Sequence, residues 1–266
     1  MAKPRFIYPN VPPHASTVLI TGEEFHHLRV RRVKPGDPVV LFDGLRKEFD
    51  AVVEFVGRSS AKVRISGQRD KDPVSTLRLV LATAIVRPDR LDMIVEKATE
   101  LGVAEILFFT SNRSRPQDLT ARVTRWERIA CESAKQCQRG DIPAVCAPIP
   151  FTAMLARSTA ELQLMIWEDA ERKSDLASAY QDQPNAKSIA LLVGPEGGFT
   201  TDEVDAATSK GFKVCRIGQR ILRTETAAIT SVAIAQFLWG DLCQPTACRT
   251  KSLPPALPTG SHPNTI

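Results

Sequence analysis

Apolar residues fall in two different rhythms along the chain, and the change between them divides it. Over the first seventy positions the apolar runs are short. Thr17-Val18-Leu19-Ile20, Pro38-Val39-Val40-Leu41-Phe42 and residues 49–55 and 61–65 are apolar or alternating stretches. Thr21-Gly22, Lys34-Pro35-Gly36-Asp37 and Asp43-Gly44 punctuate them as turns. Such spacing predicts strands of a small β barrel. Residues 68–73 are polar and end in Pro73, which reads as a linker.

Beyond it, apolar runs alternate with 3.6-residue periods. Residues 77–85 form a buried-strand run. Asp89 then stands where a helix cap is wanted, Leu91, Ile94, Val95, Ala98 and Leu101 fall on one helical face, and Gly102 closes it. Residues 104–110, 162–167, 188–193 and 213–217 read as further strands. A helix over 120–138 carries Val123, Trp126, Ala130 and Cys137 on one side, and a last apolar helix covers 226–238. Strands alternating with helices imply an α/β fold with a parallel sheet. The tail, 244–266, holds five of the nineteen prolines with little apolar periodicity, so disorder is expected there. The predicted units are therefore 1–72, 73–243 and the tail.

At 266 residues, 43% hydrophobic and 24% charged, the chain has ordinary globular proportions. No apolar run approaches the roughly 18 residues of a membrane span, and Met1-Ala2-Lys3-Pro4-Arg5 leads into no signal-peptide core, so a cytoplasmic location is expected. The six cysteines show no Cys-x-x-Cys pair and lie far from the four histidines. They read as reduced, mostly buried thiols, with no metal site. The net charge of +5 is unevenly placed: residues 1–72 hold 13 Lys and Arg against 9 Asp and Glu. That excess suits a polyanionic partner.

Two segments carry candidate chemistry. In Leu191-Leu192-Val193-Gly194-Pro195-Glu196-Gly197-Gly198-Phe199-Thr200 a buried strand runs into a glycine-rich turn, and Thr200 with Glu203 forms a capping box for the next helix. Glycines at a strand's carboxyl end admit close approach of a ligand to backbone. A tight turn without a ligand satisfies the same pattern. Neither a dinucleotide fingerprint nor a P-loop is present. The second segment, Ile217-Gly218-Gln219-Arg220-Ile221-Leu222-Arg223-Thr224-Glu225-Thr226-Ala227, repeats the strand end, glycine and helix start. Both loops at one sheet edge would wall one pocket. Arg223 and Glu225 there also fit a plain surface ion pair.

At these segments the chain resembles the ribosomal small subunit methyltransferase E family. Further matching segments follow in order: Arg5-Phe6, His26-His27-Leu28, Gly36, Phe42-Asp43-Gly44, Asp89-Arg90, residues 96–103, Arg113-Ser114 and Ala134-Lys135-Gln136-Cys137-Gln138-Arg139 with Pro143. The resemblance covers about 4–240. Arg31 stands where the family usually has an aliphatic residue, and Arg87-Pro88 where Lys-Gly is usual. The resemblance implies a SPOUT-type parallel sheet with a C-terminal trefoil knot, a PUA-like N-terminal β barrel that binds RNA, and a homodimer. It implies an enzyme that methylates uracil N3 in 16S ribosomal RNA of the small subunit with S-adenosyl-L-methionine, needing no metal. Cofactor contacts are expected from Leu192, Val193, Gly194, Glu196, Gly197, Gly198, Ile217, Gly218, Ile221, Leu222, Arg223, Thr224, Thr226 and Ala227.

Uracil N3 carries a proton, and its loss leaves negative charge on the ring, which a cation or N–H donor stabilises. Arg223 is the candidate for that role, and Glu225 the candidate for assisting proton removal or orienting Arg223. The reacting edge is the base-pairing edge, so the target must be unpaired or extruded. Arg5, Arg29, Arg31 and Arg32 are the candidate phosphate contacts, with His26 and His27 as further RNA or purely structural groups. Two rivals remain at this point: a catalytically silent RNA-binding protein, and a SPOUT enzyme acting on another atom such as a ribose 2′-hydroxyl.

Overall fold

Two sheets organise the chain. The computed structural model describes residues 3–12, 15–70, 75–114, 119–170 and 174–243; the linker residues 71–73 and the tail lie outside them. The first sheet contains β1 (Arg5–Ile7), β2 (Thr17–Thr21), β3 (Pro38–Phe42), β4 (Lys47–Val56) and β5 (Ser60–Asp70) in the order β1-β3-β4-β5-β2. Register shifts at Asp50/Ala51 and Val53/Phe55 mark bulges between β4 and β5, which bend long strands. The expected all-strand barrel is modified. Helix α1 (Gly22–Val30) touches β1, β2 and β5 and so bridges the two edges of the sheet. Thr21-Gly22 is therefore a helix start, not only a turn. Phe25 and Leu28 are its buried residues, and Glu23 and Glu24 at its start with Arg29 at its end complement the helix dipole.

The second sheet is wholly parallel. It holds β6 (Arg78–Ala84), β7 (Glu105–Thr110), β8 (Ala144–Val145), β10 (Leu162–Ile166), β11 (Ser188–Val193) and β12 (Lys213–Cys215) in the order β12-β10-β11-β6-β7-β8, with β9 (Ile149–Pro150) also on β7. The connecting helices are α2 (Pro88–Glu100), α3 (Val123–Gln136), α4 (Phe151–Arg157), α5 (Leu176–Asp182), α6 (Thr201–Ser209) and α7 (Thr224–Leu238). The two-residue period of each strand sends alternate side chains to opposite cores. Leu79, Leu81, Leu191 and Val193 join α2, α3 and α7 on one face; Val80, Ala82, Ala190 and Leu192 join α4 and α6 on the other. Asp89 does not cap α2. Pro88 occupies its first turn and Arg87 the N-cap position, because a proline's fixed φ and missing N–H suit that place.

Buried charge pins the two units together. Arg5 is 7% exposed, and its Nη2 donates to Glu48 Oε1 at 2.7 Å and to the Arg139 carbonyl at 2.8 Å. Its guanidinium also lies 4.8 Å from the Phe42 ring centroid. Arg139 in turn donates to the carbonyls of Thr99 and Val103 at 2.7 and 3.0 Å. Removing one partner from a buried pair leaves the other charge desolvated and alone. Arg5→Ala should lower unfolding stability by about 3–5 kcal/mol in urea titration; a variant with the parent's midpoint would show that the pair contributes nothing net.

Candidate active site

The strand order sets β10, β11 and β12 side by side, so the loops leaving their carboxyl ends meet. Between them lies an open cleft, at the sheet edge where open α/β folds bind their ligands. Ile166, Val193, Ile217, Leu222 and Ala227 give it apolar walls; Glu168, Arg216 and Arg220 add charge.

Local chemistry holds each wall. After β11, Thr200 caps α6: its Oγ1 accepts from the Glu203 N–H at 3.3 Å, while the Thr200 N–H donates to Glu203 Oε2 at 2.9 Å. The other Glu203 oxygen accepts from the Asn112 N–H at 2.9 Å, tying the turn to the end of β7. Gly194 has no room for a side chain, since a Cβ there would stand 2.8 Å from the Phe199 ring. Gly198 has φ +69°, and a Cβ on it would run into the Glu168 carboxylate. After β12, Gly218 takes φ +63° and its carbonyl accepts from Arg216 Nε at 2.8 Å. The two walls are joined where Thr224 Oγ1 donates to the Gly194 carbonyl at 3.0 Å.

Of the residues expected at a cofactor, Val193, Gly194, Gly198, Ile217, Gly218, Ile221, Leu222, Thr224 and Ala227 line this cleft. The others stand elsewhere. Leu192 points into the core of the opposite face. Glu196 and Gly197 are exposed, with the Gly197 carbonyl accepting from Arg113 Nη1 at 2.7 Å. Thr226 is exposed in the first turn of α7, and Arg223 is exposed between Leu222 and Thr224 at the rim. Ile166, Trp167, Glu168, Pro195, Arg216, Gln219 and Arg220 complete the lining; Pro195, Gln219 and Arg220 belong to the two glycine-bearing segments, whereas Ile166, Trp167, Glu168 and Arg216 carry no sequence signal for a ligand. The strand at 162–167 was visible as an apolar run; its place beside β11 was not.

Glu225 is buried, and its partner differs from the one the sequence suggested. Its Oε1 lies 2.9 Å from Arg90 Nη1 on α2, so the carboxylate is held from across the helix pair and does not depend on Arg223.

The expected phosphate contacts separate into two groups. Arg29, Arg31 and Arg32 are exposed at the end of α1 and just beyond it. Arg5 faces inward, committed to Glu48 and Arg139, because the seam between the two units needs its charge. His26 is exposed. His27 accepts from Arg31 Nε at 2.9 Å through Nε2, and burial, opposed by the nearby Glu132, pulls its pKa below the usual value and favours the neutral ring that can accept. Glu24, His27 and Glu132 bring three ligand atoms within 4.8 Å of one another. Lys135 Nζ already serves these carboxylates, donating to Glu132 at 2.8 Å and to Glu24. Burial opposes that ammonium's charge, but the two carboxylates outweigh it and hold its pKa above the usual value.

Among the described cysteines Cys215 is buried and four are half-buried, so the expectation of mostly buried thiols is too strong. Burial first of all pushes Cys131 and Cys215 up to about 11.

Comparison with known proteins bears on this arrangement. A family model described as an RNA methyltransferase domain matches residues 73–236, and one described as an RNA methyltransferase PUA domain matches 20–66. The chain is 32% identical over 238 residues to the ribosomal RNA small subunit methyltransferase E of Mycobacterium bovis, covering 85% of this chain and 88% of that protein. Its fold is similar to the crystal structure of the Neisseria gonorrhoeae ribosomal RNA small subunit methyltransferase E bound to S-adenosyl methionine. There the TM-score is 0.84 at 32% identity, covering 91% of this chain and 100% of that one. A Legionella pneumophila structure in complex with bound S-adenosylmethionine gives a TM-score of 0.83 at 30% identity, with the same two coverages.

Proposed function

This chain belongs to the ribosomal RNA small subunit methyltransferase E family, and from that premise we propose that it methylates N3 of a uridine in 16S ribosomal RNA with S-adenosylmethionine as donor. One observation carries the reading: the two glycine-rich strand ends close on a single cleft, in a fold shared with proteins solved with that cofactor. The residues present fit the group. Apolar walls accept a purine ring, and the missing Cβ of Gly198 lets the Glu168 carboxylate lie against the glycine turn in the cleft lining. Val193, Gly194, Gly198, Ile217, Gly218, Leu222, Thr224 and Ala227 would hold it, with Ile221 at the mouth.

When bound, S-adenosylmethionine supplies an electrophilic methyl on a sulfonium. The chain's own residues must orient the base and manage one proton. Holding both reactants in line is worth about 7–11 kcal/mol in favourable cases. Exposure of Arg223 beside the cleft-lining Leu222 and Thr224 supports it as the cation that meets charge developing on the uracil carbonyl oxygens. Glu225, fixed by Arg90, is the carboxylate that would assist removal of the N3 proton.

Three finer statements belong to the same reading. After β12 at the sheet edge, the chain crosses the ends of β10 and β11 to place α7 against β11, β6 and α2, a path that supports a trefoil knot. Met93 on α2 and Phe237 on α7, 39% and 51% exposed, with Ile221 at 85%, leave apolar surface on two helices in mutual contact. That surface supports a homodimer. No helix among the described residues is long and apolar enough to cross a membrane, and a ribosomal RNA substrate supports a cytoplasmic location.

Mass mapping of 16S ribosomal RNA from cells lacking the protein tests the reaction: one 3-methyluridine should disappear and return with the gene. Loss of a different mark would reassign the target atom. Phosphate contacts by the N-terminal unit predict that Arg29, Arg31 and Arg32 replaced together by Gln lower the slope of log affinity against log salt by about 2. An unchanged slope would remove them from the interface.

A further inference from the structure

The loops that leave the carboxyl edge of the second sheet are not equally charged. On the β10 and β11 side Glu168, Asp169 and Glu196 are exposed. On the β6 and β7 side the charge is mainly arginine. Arg87, Arg122 and Arg125 line one shallow, open concavity between the starts of α2 and α3, together with Asp89 and Asp92. Arg128 is exposed two turns into α3.

The two aspartates do not cancel this cluster. Asp89 meets Arg87 at 3.3 Å and Arg90 at 3.6 Å, and Asp92 meets Arg125 at 2.9 Å, pairs with side chains 50–61% exposed on the Arg87 and Arg125 sides. Exposed pairs of this kind hold weakly and exchange for another anion. Asp92 also accepts from Trp126 Nε1 at 3.1 Å, so it keeps a partner if Arg125 turns away. Arg122 is half-buried in the concavity, and its side chain makes no hydrogen bond or ion pair with the described residues. A guanidinium without a partner among the described residues, set among exchangeable ones, presents the planar fork that matches phosphate oxygens.

Position gives the cluster a purpose. Arg90 links it to Glu225, and the next residue back, Thr224, lines the cofactor cleft. At its other end α3 carries Lys135, bonded to Glu24 of α1, so its 14 residues lead from the concavity toward Arg29, Arg31 and Arg32. A helix of that length spans about 21 Å.

We infer that the concavity between α2 and α3 binds backbone phosphate of the substrate RNA next to the target nucleotide, so that the strand runs from α1 along α3 and enters the cleft from the β6–β7 side. This rests on the proposed methylation of 16S ribosomal RNA and assigns its path. The N-terminal unit then shares RNA binding with the catalytic one.

The test uses the full chain with Arg87, Arg122 and Arg125 all replaced by Gln, 16S ribosomal RNA as probe, and S-adenosylmethionine affinity as the folding control. About tenfold weaker RNA binding near 100 mM salt is expected, with the log–log salt slope reduced by about 2 and cofactor affinity unchanged. An intact parent activity together with the parent's affinity and slope in the variant would overturn the assignment and leave the methylation reading standing. A parent chain that neither binds nor methylates 16S ribosomal RNA would overturn both.

Discussion

Gly198→Val is expected to abolish S-adenosylmethionine binding, by about 100-fold or more in calorimetry. Two independent effects act in one direction. At φ +69° a β-branched residue is strained, by about 1–3 kcal/mol. Its Cβ would also meet the Glu168 carboxylate, and the branched side chain with the carboxylate it displaces would compete with the cofactor for the cleft both residues line. A factor of 100 corresponds to about 2.8 kcal/mol, which obstruction alone can supply. Gly36→Ala separates the effects: φ there is +92°, nothing lies within 4 Å of an added Cβ, and the site is far along the chain in the N-terminal unit. It should lose stability while keeping the parent's cofactor affinity. Undiminished binding by Gly198→Val would place the cofactor outside this cleft.

What the sequence disclosed depended on how local its cause was. The apolar run of β3 and the buried run of β11 are set by residues within each strand, and their limits, Pro38–Phe42 and Ser188–Val193, coincide with those the pattern predicts. The capping box of Thr200 and Glu203 is equally local. Helix α1 is not: only Phe25 and Leu28 are buried on it, and Thr21-Gly22 reads as a turn until packing against β1 and β2 supplies the reason for a helix. Strand order is invisible in a parallel sheet, because every strand buried on both faces reads as the same apolar run. Trp167 and Glu168, just past the end of β10, are therefore not marked as site residues although the strand before them is legible. Charge pairing fails for the same reason. Arg5 is paired with Glu48 and Glu225 with Arg90, partners brought together by the fold and not by spacing.

Arg223 stands where that non-local information matters most for the proposed chemistry. It is exposed, flanked by two cleft-lining residues, and free of the Glu225 carboxylate, which Arg90 holds. Its guanidinium is thus available to a bound base. Uracil becomes a nucleophile only as its N3 proton leaves, so a cation at this rim interacts more strongly with the transition state than with the neutral base. Arg223→Ala should lower the single-turnover rate of methyl transfer by about 100-fold, as removal of one donor to a developing anion commonly does, while cofactor affinity changes by no more than about twofold. Lysine keeps the charge but lacks the planar fork, and should restore part of the rate at most. A parent-like rate in Arg223→Ala would remove this residue from the chemistry. A loss confined to the cofactor dissociation constant would instead make it part of the cofactor's binding wall, and the charge on the base would then have to be met from another residue of the rim, with Arg220 the nearest in sequence to test.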